Sequence, residues 1–136
     1  MNANRATAAL KVFLVDPAAA IRRRLAALLD AMPGVAVVGE AEEAQAALAG
    51  ILACDAEVAV IELRLADNNG LELIATLARV TPQLTVVVLS NLSGPECRAA
   101  SDLAGADFFF DKTAEFGTAC NAIAAMARMR DVPVAQ

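Results

Sequence analysis

The sequence contains no histidine, tryptophan or tyrosine among its 136 residues, and its three cysteines lie far apart. The absence of histidine excludes serine–histidine and cysteine–histidine dyads and histidine acid–base catalysis. Cys54, Cys97 and Cys120 form no CxxC pair, so a zinc site built from the usual ligands is excluded as well. We therefore expect the cysteines to be small apolar residues of the core.

Long apolar stretches and basic charge are also scarce. Hydrophobic residues make up 58% of the chain, but polar residues interrupt every apolar run well short of the roughly 18 residues that a membrane span needs. The net charge is −5, and the basic cluster Arg22, Arg23 and Arg24 is interpreted as a solvated helix face. With no signal-peptide pattern either, we expect a cytoplasmic protein that binds neither membrane nor nucleic acid.

What the sequence does contain is a regular alternation of short apolar runs and amphipathic helical patterns. The apolar runs predict five strands, at residues 11–16, 35–38, 58–63, 84–89 and 108–110. Short βα units of this kind cross over with a right hand, so we predict an α/β, flavodoxin-like (βα)5 fold with a doubly wound parallel sheet of order 2-1-3-4-5. The length predicts a single domain over residues 1–136, with a core at about residues 10–130 and short tails.

The helical patterns show starts and inner faces. Glu42 and Glu43 are predicted in the first turn of the second helix, Ser93 is predicted to cap the fourth helix, and Thr113 the fifth. Four inner faces are predicted from apolar spacing. They comprise Ile21, Leu25, Leu28, Leu29 and Met32 in the first helix, Ala44, Ala47, Leu48 and Ile51 in the second, Leu71, Ile74, Leu77 and Ala78 in the third, and Phe116, Cys120, Ile123 and Ala127 in the last.

Four polar side chains stand where predicted strands end: Asp16, Glu62, Ser90 and Lys112. In a sheet of this order the first and third strands meet at the topological switch point, and the fourth and fifth strands form the wall of the same crevice. Two carboxylates, a hydroxyl and an ammonium should therefore lie close together. Simpler roles stay open: Asp16 followed by Pro17 is a favoured helix start, Ser90 could serve loop amides, and Glu62 could be a solvated strand end.

At these residues the chain resembles the receiver domains of two-component response regulators, over essentially its whole length. Asp16 matches the acidic corner, Glu62 the phosphoacceptor position, Ser90 the switch hydroxyl and Lys112 the phosphate-contacting lysine. Phe109 falls at the aromatic switch position, although it could equally be a plain core residue. The matching stretches are residues 14–16, 61–65 with Gly70, 89–91, 105–107 and 110–112.

The resemblance implies a mechanism. In that family an aspartate after the third strand takes a phosphoryl group from a histidine kinase, and a magnesium ion held by the acidic corner neutralises the phosphate. The hydroxyl and the lysine then hold the phosphoryl oxygens, and the aromatic side chain turns inward. The output surface is formed by the fourth helix, the fifth strand and the fifth helix.

Two positions depart from the family pattern. Glu62 replaces the aspartate, and Pro17 replaces the second acid of the corner. A misplacement of about 1 Å can cost about a hundredfold in rate, and magnesium requires near-ideal oxygen ligation. Because one lysine faces two acids, we expect Lys112 to pair with Glu62 or Asp16, and magnesium binding at these acids to be weak or absent. Arg64, at the rim, is interpreted as solvated surface rather than a second partner of Glu62.

We therefore interpret the sequence as a stand-alone, atypical receiver with no cofactor and no catalytic residue. It would act independently of phosphorylation, with Glu62 as an imperfect stand-in for the phosphorylated state that reaches toward Ser90 and Lys112. The partner, another protein or a second copy in a homodimer, would bind the output surface. Five alanines of the fourth and fifth helices are predicted to lie on that surface and not in the core: Ala99, Ala100, Ala119, Ala122 and Ala125. Their small side chains would give a partner an exposed apolar patch to contact.

Two alternatives remain. The first is a receiver that is still phosphorylated, on Glu62 or elsewhere. The second is a small doubly wound phosphatase or nucleotide-binding enzyme with Asp16 as nucleophile. Against the second, the residue two positions after Asp16 is Ala18 rather than an acid, and no glycine-rich phosphate loop follows the first strand.

Overall fold

The structure is a computed structural model that describes residues 8–130; the predicted tails fall largely at residues 1–7 and 131–136, outside the described residues. The strands are β1 (Leu10–Val15), β2 (Val35–Ala41), β3 (Val58–Ile61), β4 (Thr85–Ser90) and β5 (Phe108–Asp111). The helices are α1 (Ala19–Asp30), α2 (Ala44–Cys54), α3 (Gly70–Val80), α4 (Pro95–Ala104) and α5 (Phe116–Arg130). The strands pair in parallel in the order 2-1-3-4-5, which confirms the predicted fold.

The sheet separates two apolar clusters, because successive side chains of a strand point to opposite faces. Val58 and Val60 of β3 pack in the cluster that includes residues of α1 and α5, whereas Ala59 and Ile61 pack in the cluster that includes residues of α2 and α3. All four side chains are buried. A strand covered on both faces needs an uninterrupted apolar run, which is why β3 shows no alternation in the sequence.

The helix faces differ in part from their prediction. Leu28 and Leu71 are 41% and 40% exposed, and Ala78 is exposed too, so their placement on inner faces is wrong. Leu28 lies beside the buried stripe of α1 that Leu25 and Leu29 form, where it is only partly covered. In α3 the buried apolar side chains are Leu73, Ile74 and Leu77, because the sheet covers a narrower stripe than the apolar spacing suggests. For α5 the predicted inner face is correct.

Two further burial predictions need correction. Ala119 is 1% exposed and belongs to the core, so it does not contribute to an open surface. Among the cysteines only Cys120 is buried, and its burial raises the pKa of the thiol despite the nearby charge of Arg24. Cys54 and Cys97 are partly exposed because they lie at the edges of the helix stripes that meet the sheet.

Three predicted helix starts are wrong, and at one of them a residue from a distant part of the chain replaces the local cap. Glu42 and Glu43 precede α2, whose Ala44 N–H is instead bound by both carboxylate oxygens of Asp67, at 3.2 and 3.1 Å. The N-cap residue of α4 is Gly94 and makes no side-chain cap bond; Ser93 donates its hydroxyl hydrogen elsewhere.

Thr113 likewise does not cap α5, which begins at Phe116. Its hydroxyl donates to Asn91 Oδ1 at 2.9 Å, and the turn before α5 is capped by Asp111, which accepts bonds from the backbone N–H of Thr113 and Ala114 at 3.0 and 2.7 Å. None of the helices between residues 8 and 130 combines the length and the apolar character that a bilayer crossing requires.

Candidate functional site

The site lies at the carboxyl edge of the sheet, where β1, β3, β4 and β5 end side by side. Asp16 follows β1, Glu62 follows β3 and Lys112 follows β5, while Ser90 is the last residue of β4. Backbone hydrogen bonds continue past the strand ends: Asp16 N–H donates to Ala41 O at 3.0 Å, and Glu62 N–H donates to Val15 O at 2.9 Å. The parallel pairing thereby holds both acids next to each other at the switch point.

An ion triad forms the centre of the site. Lys112 Nζ donates to Asp16 Oδ2 at 2.7 Å and also to Glu62 Oε1. The three side chains are nearly enclosed, with 14% of Lys112, 5% of Asp16 and 8% of Glu62 exposed. Buried carboxylates require a counter-charge, and here one ammonium serves two of them.

Each carboxylate oxygen of the triad has a hydrogen-bond donor. Asp16 Oδ1 accepts the backbone N–H of Ala18 at 2.8 Å, and Glu62 Oε2 accepts the backbone N–H of Arg64 at 3.1 Å. The other two oxygens accept Lys112. Within residues 8–130, no buried side-chain nitrogen or oxygen lacks a hydrogen-bond partner. The hydrogen-bonding needs of the buried acids are therefore met by the protein itself.

The protonation of Lys112 follows from the same contacts. Burial by itself lowers the pKa of the ammonium, but the hydrogen bonds to Asp16 and Glu62 and the negative charges of both acids outweigh burial. The pKa of Lys112 is consequently raised above its ordinary value of 10.5. The lysine stays positively charged at neutral pH, as the triad requires.

Asp16 also shapes the start of α1. Its carboxylate bond to Ala18 N–H is the helix-start role that the sequence left open, but Ala18 is the N-cap residue and α1 begins at Ala19. Pro17 therefore lies before the helix rather than at its first position. Pro17 is exposed and offers neither a carboxylate nor an N–H to the site.

The basic cluster of α1 is not simply a solvated face. Arg22 donates to Asp16 O at 2.6 Å and to Glu40 Oε1 at 2.7 Å, and only 14% of its side chain is exposed. Arg24 lies 4.0 Å from the centroid of the Phe116 ring. The interpretation holds for Arg23, which is exposed and pairs with no acid among the described residues.

Ser90 is fully buried beside the triad but does not join it through its side chain. Its Oγ accepts the backbone N–H of Leu92 at 3.1 Å, which is the loop-amide role left open by the sequence. Its carbonyl accepts the backbone N–H of Lys112 at 3.1 Å. Among the described residues, no hydrogen bond connects the Ser90 hydroxyl with Glu62 or Lys112. Arg64 contacts Glu62 only through its backbone N–H, and its side chain points into solvent.

Phe109 lies away from the triad, on the edge strand β5. It is partly buried against the cluster between the sheet and the helices α2 and α3, and the guanidinium of Arg98 lies 4.6 Å from its ring centroid. Sequence reasoning missed Arg98, its partner Glu115, and Asp111, whose backbone N–H donates to Glu115 Oε1. The only local signal was the four-residue spacing of Asp111 and Glu115 just before α5, because Arg98 reaches Glu115 from another helix.

Asp16 and Glu62 are the side chains at this edge that could hold a magnesium ion. Between residues 8 and 130, no three side chains of the types histidine, cysteine, aspartate and glutamate converge. Asp16 and Glu62 are the two acids of the site, and all of their oxygens already accept hydrogen bonds. Magnesium prefers octahedral oxygen ligation and would compete with the Lys112 ammonium for these two carboxylates.

A family model for the response regulator receiver domain matches residues 12–124. The chain belongs to the response regulator receiver domain family. It is 40% identical over 103 residues to the DNA-binding transcriptional activator DevR/DosR of Mycobacterium tuberculosis, covering 76% of this chain and 48% of that protein. It is 37% identical over 83 residues to a protein-glutamate methylesterase/protein-glutamine glutaminase of Carboxydothermus hydrogenoformans, covering 61% of this chain and 24% of that protein.

Solved receiver structures share the fold. The response regulator domain of Thermotoga maritima CheB superimposes with a TM-score of 0.78 at 21% identity, covering 93% of this chain and 99% of that one. A CheY-like receiver domain protein of Methanospirillum hungatei gives a TM-score of 0.80 at 22% identity, covering 91% and 98%. The receiver chain spans about half of the DevR/DosR length and about a quarter of the methylesterase length.

Proposed function

We propose that this receiver domain is a protein-interaction module that works without accepting a phosphoryl group at Glu62. The observation that carries the proposal is the position of Lys112, whose ammonium binds both Asp16 and Glu62. The lysine supplies the positive charge that a metal ion would otherwise bring to the two acids. Magnesium binding at this pair is accordingly proposed to be weak or absent.

The geometry of Glu62 supports the same conclusion. Each oxygen of its carboxylate accepts a hydrogen bond, one from Lys112 and one from the backbone N–H of Arg64, and these bonds lower its nucleophilicity toward a phosphoryl donor. Pro17 offers no carboxylate that could hold a metal ion in place of the lysine. We do not extend the proposal to imitation of a phosphorylated state at Ser90, because the Ser90 hydroxyl is bonded to Leu92 instead.

The rival function is a receiver that is phosphorylated at Glu62, and acetyl phosphate with magnesium separates the two. The native protein should show no mass gain. Glu62→Asp and Pro17→Asp should each label slightly, and the double variant should label more than the sum of the two, because nucleophile and metal ligand act as one unit. The exposed Glu96→Asp serves as a matched control that should not label.

Folding must be checked in the same samples by circular dichroism. Pro17 lies before α1, so its replacement should leave the helix intact. Labelling of the native protein mapped to Glu62 would contradict the proposal. The alternative of a small phosphatase or nucleotide-binding enzyme is tested with the same native protein by a phosphatase and nucleotide-binding screen, in which we expect no activity.

The proposed output surface is the α4–β5–α5 face. Leu103 of α4, Phe108 of β5 and Met129 of α5 expose 88%, 43% and 70% of their surface, an apolar exposure that is typical of an interface. Asp102 of α4 and Arg130 of α5, which both lie near Phe108, carry opposite charges. A partner protein or a second copy could pair with both signs.

Self-association tests the second-copy version. Leu103→Asp should lower the apparent mass in light scattering at high protein concentration, because it removes the most exposed apolar side chain of the face. Leu52→Asp, at a 47% exposed leucine of α2, is the matched control and should have no effect. A native protein that stays monomeric at the highest soluble concentration would contradict the homodimer and leave a different protein as the partner.

A further inference from the structure

Helix α4 is weakly held by apolar contacts. Of its ten residues only Ser101 is buried, and the hydroxyl of this serine donates back to Cys97 O of the same helix at 2.9 Å. By contrast α5 buries Phe116, Ala119, Cys120, Ile123 and Ala127. Apolar burial is the dominant force that fixes a helix on a sheet, so the position of α4 must depend on other contacts.

Those contacts converge on Arg98. Its Nε donates to Ser93 O at 2.9 Å, in the segment before α4, and its Nη1 donates to Phe109 O of β5 at 3.5 Å. Its Nη2 lies 3.4 Å from Glu115 Oε1, and the guanidinium covers the Phe109 ring. A planar guanidinium can stack on an aromatic face and donate hydrogen bonds at its edge at the same time, which lysine cannot do.

The partners of Arg98 are tied to each other as well. Glu115 Oε1 accepts the backbone N–H of Asp111 at 2.8 Å, and Asp111 Oδ1 accepts the hydroxyl of Ser93 at 2.6 Å. The segment before α4 and the turn between β5 and α5 are therefore joined twice, through Arg98 and through Asp111. We call these five residues, Ser93, Arg98, Phe109, Asp111 and Glu115, the Arg98 network.

Phe109 has room to move beside this network. A cleft of about 70 Å³ lies next to the ring and is lined by Arg98, Ser101 and neighbouring residues of α4 and β5. The ring is only partly buried, on a strand that pairs with β4 alone. A half-buried ring next to free volume is held in place by whatever covers its exposed face, and here that is the guanidinium of Arg98.

We infer that Arg98 is a positioning residue that clamps the Phe109 ring and fixes the start of α4 to the β5–α5 turn. Loss of the clamp would release α4 and Phe109 together and would change the α4–β5–α5 face without disturbing the ion triad. The inference goes beyond the proposed function, because it does not depend on whether Glu62 accepts a phosphoryl group.

Amide hydrogen exchange by NMR on the whole chain tests the clamp. Arg98→Met should accelerate exchange in α4 and in the β5–α5 turn by about tenfold, since local opening responds to the contacts of the opened segment. Amides of β1 and β3 should change by less than about twofold. Arg79→Met removes the same charge from an exposed arginine of α3 and should leave α4 unchanged.

An NMR chemical shift distinguishes loss of the Arg98–Phe109 stack from a general loss of stability. In the native protein the side-chain protons of Arg98 should be shifted upfield by the Phe109 ring, and Phe109→Leu should abolish the shift. Arg98→Lys keeps the charge but loses the planar stack, so it should resemble Arg98→Met rather than the native protein. Unchanged exchange of α4 in Arg98→Met, equal acceleration in β1 and β3, or full protection in Arg98→Lys would each overturn the inference.

Discussion

The ion triad and the Arg98 network are two charged clusters attached to the same strand, and they differ in burial. Lys112, Asp16 and Glu62 are at most 14% exposed, whereas Arg98 and Glu115 are 41% and 40% exposed. Water therefore screens the second cluster and hardly reaches the first. Removing one member of a buried set leaves an uncompensated charge, while removing one member of an exposed pair costs little.

The comparison separates two tasks within one domain. The buried triad determines the charge of the strand-end site, because its members can only exist together. The exposed network contributes little to global stability but determines where α4 and Phe109 lie. In the proposed function both tasks have a use: the triad would hold the strand-end site, and the Arg98 network would hold the interaction surface in one arrangement.

The strongest test of this contrast is Lys112→Met, which leaves Asp16 and Glu62 without a counter-charge. We expect a loss of about 3–5 kcal/mol in the free energy of unfolding, measured by urea denaturation. Lys11→Met, at the exposed lysine of β1, is the matched control and should stay within about 0.5 kcal/mol. Magnesium should restore part of the loss in Lys112→Met only, because two bare carboxylates attract a cation.

The stability difference between the native protein and Lys112→Met should depend on pH. Because the pKa of Lys112 is raised in the folded protein, its contribution is fully present below 10.5 and is lost as pH rises through the folded value. The difference in unfolding free energy between native protein and Lys112→Met should therefore shrink only above pH 10.5. A difference that is already small at neutral pH would contradict the role of the triad.

Alanine substitutions at two glycines compare how tightly the chain is packed near the ion triad and before α4. At Gly70, after the β3–α3 loop, an added Cβ would lie 2.2 Å from the carbonyl oxygen of Leu63, whereas at Gly94, before α4, nothing lies within 4 Å. Gly70→Ala should cost roughly 2–3 kcal/mol in thermal or urea unfolding, because backbone has to move. Gly94→Ala should cost less than about 1 kcal/mol. Equal costs would show that the site loop is no more tightly packed than the start of α4.

Acid should act on the Arg98 network through Asp111. The backbone N–H of Ala114 and the hydroxyl of Ser93 lower the pKa of Asp111 below its ordinary value of 3.8. Its stabilising contribution is thus present above pH 3.8 and is lost as pH falls through the folded value. Asp111→Asn should reduce the acid sensitivity of the β5–α5 turn, followed by NMR, while the exposed control Asp102→Asn should keep it.

The smallest expected effect is that of salt. High salt should accelerate amide exchange in α4 by less than about threefold, because the Arg98–Glu115 pair is exposed and screened. The amides next to the triad, those of Glu62 and Arg64, should not respond. A salt response of these two amides would mean that the triad is more open to solvent than its burial indicates.

Much of the fold could be predicted because the signals are local. The apolar runs act within a few residues, and so does Gly105, which ends α4 with a φ of 119°. Strand ends are local as well, so Asp16, Glu62 and Lys112 could be assigned to one edge of the sheet from their positions alone. The membership of the receiver family followed from those same residues.

Other features could not be predicted, since they depend on residues far apart in the chain. At the start of α2 the N–H of Ala44 is bound by Asp67 and not by a neighbouring residue. The Ser93 hydroxyl, which could have formed a capping box, donates to Asp111 instead. Local rules rank the nearest cap first, but a cap is a hydrogen bond, and any acceptor that the fold brings within reach can replace it.

Backbone propensity and apolar periodicity act along the chain, so the order of the elements, the parallel sheet and the residue types at the strand ends follow from the sequence alone. The packed fold adds four features: Lys112 binds both acids, the Ser90 hydroxyl binds Leu92, Ala119 is buried, and Arg98 covers Phe109. Side-chain partners depend on distance and on the exclusion of water, and both exist only after the helices have packed on the sheet.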